Sequence, residues 1–86
     1  MKYTKHAKAR AAERGITEDV ILEAILQPSQ TYYDLSTGTT IDFKKLDEKH
    51  LLVAYSREDK EIKIVTTFIT SNAQEKLAEN WKTEHG

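Results

Sequence analysis

The chain has 86 residues, 38% of them hydrophobic and 31% charged, with three Gly, one Pro and no Cys. That composition excludes disordered, collagen-like, disulfide-framed and thiolate-metal classes, and it predicts one ordered domain over residues 1–86. A formal net charge of −1 excludes a general polycation, yet five cations against Glu13 alone leave residues 1–14 at +4, a local basic patch on an acidic protein.

The N-terminus "MKYTKHAKAR" carries charge where a secretory leader needs an apolar run. No stretch reaches the roughly 18–20 apolar residues of a membrane span. The expected location is the cytoplasm, without a membrane partner.

Thr4 is placed to cap a helix from Lys5 to Glu13, rich in alanine (Ala7, Ala9, Ala11, Ala12), and Gly15 is placed to end it in a left-handed conformation. His6, Arg10 and Arg14 recur every four residues and so form one ladder on this helix. Like charges at that spacing repel, and an anionic partner would relieve the repulsion.

Thr17 predicts a second N-cap, with Glu18 and Asp19 in the first turn and Ile16 and Ile21 as a hydrophobic staple. The stripe Val20, Ile21, Ala24, Ile25 continues this helix until Pro28 stops it. The two helices form a hairpin about an Arg14-Gly15-Ile16 corner.

From Thr31 the period becomes two. "TYYDLS", "TTIDFKKL", "HLLVAYS" and "EIKIVTTFIT" predict a meander of four antiparallel strands. In the second, Ile41 and Phe43 alternate with Asp42 and Lys44, which predicts a wet face. The third and fourth carry apolar residues on both faces and are expected to be central. Ser71 with Gln74 forms a capping box for a closing helix with the stripe Ala73, Leu77, Ala78, Trp81. The expected fold is α+β in two layers, a helical hairpin followed by a four-stranded antiparallel sheet and a C-terminal helix. Part of the second sheet face would stay open for a ligand.

Two stretches carry a resemblance. "HAKARAAERGITEDVILEAILQP" (His6 to Pro28) and "IKIVTTF" (Ile62 to Phe68) resemble a family of small bacterial and archaeal proteins of uncharacterised function (DUF4258-like). The layout is similar to the BrnT branch of the RelE/ParE toxin superfamily. The resemblance implies a RelE-like fold and a messenger-RNA-cleaving toxin neutralised by an antitoxin protein. Arg57 in "YSRE" matches an arginine-bearing turn of those toxins, and Lys63 keeps a basic position of their last strand. Phe68 stands where they carry an arginine.

Cleavage of RNA by its own 2′-hydroxyl needs a base, an acid and cations for the phosphorane, and no metal. His6 is the residue for proton transfer, with Arg10 and Arg14 on the phosphate. The candidate catalytic set is therefore His6, Arg10 and Arg14. The candidate nucleic-acid-binding set is Lys5, Lys8, Lys45, Arg57, Lys63 and Thr67. Three isolated histidines without ligand spacing predict no metal site, and no cofactor is expected. Candidate partners are RNA, an antitoxin protein and a second copy of the chain. The competing readings are a toxin-type, metal-independent endoribonuclease and a non-catalytic nucleic-acid- or protein-binding module on the same fold. The structural alternative for the residues themselves is an ordinary helix-surface histidine at His6 and pairing of Arg10 and Arg14 with an Asp or Glu elsewhere.

Overall fold

The computed structural model describes residues 1–71. Its elements are β1 (Lys2–Tyr3), α1 (Lys5–Arg14), α2 (Glu18–Leu26), β2 (Gln30–Asp34), β3 (Thr39–Leu46), β4 (Lys49–Glu58) and β5 (Glu61–Thr70). The closing helix predicted from Ser71 and Gln74 lies outside the described residues.

The fold is α+β, but the sheet corrects the expectation of four antiparallel strands: it has five, in the order β1-β5-β4-β3-β2. The meander from β2 to β5 is antiparallel throughout. β1 joins its far edge in parallel, Lys2 beside Lys63 and Tyr3 beside Ile64. A two-residue strand has no periodicity to read, and only the docking of the chain start creates it.

Tight turns close the meander. The β3–β4 and β4–β5 connections place Asp47 at φ 53° and Asp59 at φ 56°, a left-handed conformation that Asp tolerates better than most side chains. The longer β2–β3 loop is pinned by Asp34, whose Oδ1 accepts from the Ser36 N–H and hydroxyl. Gly38 closes that loop at φ 70° and donates its N–H to the Asp34 carbonyl.

Both helices lie on one sheet face. Ala7, Ala11, Ile16, Ile21 and Ala24 pack there with Leu51, Val53, Tyr55 and Ile64. The opposite face holds a second cluster, Ile41, Phe43, Leu52 and Ala54, with Phe68 against it. Those four are no more than 2% exposed, so this part of the second face is not the open surface expected. Tyr32 meets the Phe43 ring edge-on at 5.8 Å.

The wet face predicted for β3 is also corrected, because α2 covers it. Lys44 reaches the end of α2, donating from Nζ to the Gln27 carbonyl at 2.9 Å and lying 3.8 Å from Glu23. It thereby brings a cation to a helix C-terminus whose last turn has none of its own. Asp42 is 1% exposed. Its burial is compensated by two hydroxyls: Thr31 donates to Oδ1 at 2.6 Å and Tyr55 to Oδ2 at 2.9 Å.

β5 changes phase once. Ala54 pairs with Thr66 but Tyr55 pairs with Ile64, leaving Val65 as the extra residue of a bulge. The Thr4 hydroxyl donates to the Val65 carbonyl at 2.8 Å, and the Thr4 N–H to the Ile64 carbonyl at 3.0 Å. The irregularity in the sheet is thus the anchor for the start of α1.

Candidate nucleic-acid interface

α1 is fixed at both ends by its sequence. At the start, Thr4 accepts the Ala7 N–H at 3.1 Å while its own hydroxyl holds β5, so one side chain both caps the helix and moors it. At the end, Gly15 adopts φ 65°. The Ile16 N–H returns to the Ala11 carbonyl at 2.9 Å and the Gly15 N–H to the Ala12 carbonyl at 3.4 Å. This is a Schellman motif, with buried Ile16 as its hydrophobic contact. The Arg14-Gly15-Ile16 corner is its sequence signature.

Ala7 and Ala11 are the buried residues of α1. At about 100° per residue, Arg14, Arg10 and His6 step away from that stripe by about 40° each, along one flank of the helix. Lys8 and Lys5 occupy the other flank. All five are exposed. The structure therefore places the three catalytic candidates in one row, and Lys5 and Lys8 across the exposed surface from them.

The remaining candidates do not join this surface. Lys44 marks the helix side of β3 and Ile64 that of β5, so by alternation Lys45 and Lys63 project from the opposite sheet face. Lys63 lies 3.8 Å from Glu58. Arg57 is exposed near the end of β4, close enough to act on the Tyr55 phenol. Thr67 is fully buried and donates its hydroxyl to the Leu52 carbonyl at 2.8 Å, so it has no surface to offer an RNA. Phe68 packs on the second cluster.

The electrostatics of α1 are one-sided. Its first turn holds no acidic residue, whereas that of α2 holds Glu18 and Asp19. Lys5 and Lys8 add positive charge to the positive end of the helix dipole, at a typical cost of about 0.3–1 kcal/mol per charge. Among the described residues the ion pairs are Lys2–Glu61, Lys44–Glu23 and Lys63–Glu58. None involves a cation of α1. Arg10 and Arg14 therefore do not serve as structural partners of described carboxylates.

Two phenols are perturbed elsewhere. Tyr55 is pushed up to about 12, first by burial, then by its hydrogen bond to Asp42 and that carboxylate's charge, with the Arg57 cation opposing. Tyr3 is raised by burial and then by the charge of Glu18. Among the described residues no three His, Cys, Asp or Glu side chains are grouped to hold a metal ion, and no helix is long and apolar enough to cross a membrane.

Sequence reasoning missed Asp42, which it read as a solvent-facing strand residue, and Lys49, which lies in the polar run "DEKH". Asp42 gave a faint signal, since Thr31 and Tyr55 supply hydroxyls two strands apart. Lys49 gave none: only the pairing of the start of β4 with the end of β5 sets it on the same hollow as Arg14.

Residues 3–77 match the family described as "Domain of unknown function (DUF4258)", and the chain belongs to that family. No curated protein and no solved structure matches it.

Proposed function

We propose that this protein binds single-stranded RNA through the exposed surface of α1, on a RelE-like fold. The observation that carries the reading is the set of cations on α1. Lys5 and Lys8 lie at a helix start that their charge disfavours, and His6, Arg10 and Arg14 follow along one flank to the helix end, with no described carboxylate paired to any of them. RNA phosphates would neutralise that charge and release counterions. The Thr4 anchor and the Gly15 cap hold the helix rigid beneath them.

A specific feature favours binding over catalysis. General acid–base chemistry needs a proton-transfer group held in register with its substrate. His6 is exposed, and no described side chain orients its ring. Phe68 stands where the toxins carry an arginine, and Arg10 and Arg14 can hold a phosphate without supplying that group. The non-catalytic binding module is thus the better supported form of the reading.

The test is binding of a labelled single-stranded RNA with a parallel cleavage assay. The expected result is salt-sensitive binding with the RNA left intact. Cleavage that falls by about 10²–10⁴ in His6→Ala, with an unchanged thermal midpoint, would instead establish the ribonuclease. An antitoxin is tested separately, as a co-expressed neighbour that relieves growth arrest.

A further inference from the structure

At the far end of α1 a hollow of ≈ 390 Å³ opens between three segments distant in sequence, lined by Arg14, Lys49, Ile69, Thr70 and Ser71. Arg14 is the last residue of α1, set in place by the Gly15 cap; Lys49 begins β4; Thr70 ends β5. The two cations face one space, and no carboxylate lines it among the described residues. Neither has a described ion-pair partner. Two like charges brought together by the fold repel each other until an anion enters.

The chemistry of the lining narrows that anion. A guanidinium fork binds two oxygens of one phosphate, an ammonium adds a point charge, and the Ser71 hydroxyl can donate. Two fixed positive charges match the dianion of a phosphate monoester better than the single charge of a backbone diester. The volume lies at the small end of the range for ligand clefts, enough for a phosphate with its sugar against Ile69. Arg14 is also the last rung of the ladder. Four residues of helix advance about 6 Å, a step comparable with that between successive phosphates of an extended strand. A chain lying along His6 and Arg10 would deliver its end here.

Resting on the RNA reading above, we infer that this hollow is a subsite for the terminal phosphate monoester of a single-stranded RNA. Arg14 grips the phosphate bidentately and Lys49 completes its neutralisation.

The experiment uses three internally labelled oligoribonucleotides of one sequence, ending in 5′- and 3′-hydroxyls, in a 5′-phosphate, or in a 3′-phosphate. Their affinities are measured by fluorescence anisotropy at fixed salt. One phosphorylated end binds about tenfold more tightly than the hydroxyl-ended strand, and which end does so fixes the polarity of the bound chain. Arg14→Gln with Lys49→Gln reduces that preference to less than about twofold. Both residues are exposed, so the thermal midpoint holds and loss of preference is not loss of fold. Arg10→Ala weakens all three strands alike and keeps the preference. Equal affinity of the three strands, or a preference that survives the double substitution, overturns the terminal-phosphate subsite while leaving RNA binding intact. No binding of any strand overturns both readings.

Discussion

The Tyr55 hydroxyl donates to Asp42 Oδ2 at 2.9 Å from the neighbouring strand, so a buried carboxylate and a buried phenol satisfy each other beneath α2. Thr31 completes the group from β2, and the three hydrogen-bonding side chains tie β2, β3 and β4 together on the helix side of the sheet. An unpaired group at this depth is costly, which makes the network sensitive to the loss of any member.

Asp42→Ala is expected to destabilise the fold by about 1–3 kcal/mol, since it strands the buried Tyr55 hydroxyl, whereas the hydroxyl of exposed Thr31 can turn to water. Tyr55→Phe costs less, because Asp42 retains Thr31. In urea unfolding the double variant falls short of the sum of the single effects by more than about 0.5 kcal/mol. Strict additivity would mean that the hydrogen bond contributes nothing of its own.

The raised phenol of Tyr55 sets an alkaline limit. In the unfolded chain the phenol ionises near its ordinary value of 10.0, and in the folded chain at about 12. The stabilisation it supplies is therefore complete below pH 10 and is lost as the pH rises through about 12. Thermal midpoints measured between pH 9 and 12 should fall for the parent and fall less for Tyr55→Phe. Tyr3, raised in the same direction, accounts for part of what remains. Parallel curves would show that Tyr55 does not govern the loss.

Thr4 joins the cap of α1 to the bulge in β5. Thr4→Val removes both the oxygen that accepts the Ala7 N–H and the donor to the Val65 carbonyl. The expected cost is about 1–2 kcal/mol, or a fall of roughly 4–16 °C in the thermal midpoint of a domain this size. Thr4→Ser keeps both bonds and should lie close to the parent. A Ser variant as unstable as the Val variant would assign the effect to the lost methyl group.

Legibility followed locality. The caps at Thr4, Gly15 and Thr17 were readable because each uses side chains or glycine within a few residues, and the meander because its turns are short. The missed features depend on contacts across the sheet. β1 exists only where Lys2 and Tyr3 meet Lys63 and Ile64. In β5 the extra residue Val65 puts Ile62 and Ile64 on the same face as Thr67 and Ile69, so a strand with one apolar phase on either side of a bulge reads as apolar on both. Asp42 failed for a related reason. Alternation separates two faces of a strand but does not say which is covered, and here both are. The His6, Arg10 and Arg14 row was visible from spacing, whereas the sharing of one hollow by Arg14 and Lys49 needed the pairing of the start of β4 with the end of β5.

The most direct test of RNA binding by α1 is the dependence of affinity on salt. Each phosphate contact on a single strand contributes about 0.7 to the slope of log K against log salt. Substituting Lys5, Lys8 and Arg10 together by Ala should weaken binding and reduce the steepness of that slope by about 2, while the thermal midpoint does not fall, because all three side chains are exposed and two of them oppose the helix dipole. A triple variant that binds with the affinity and slope of the parent would contradict the proposal and return the cations of α1 to the status of a solvated helix face.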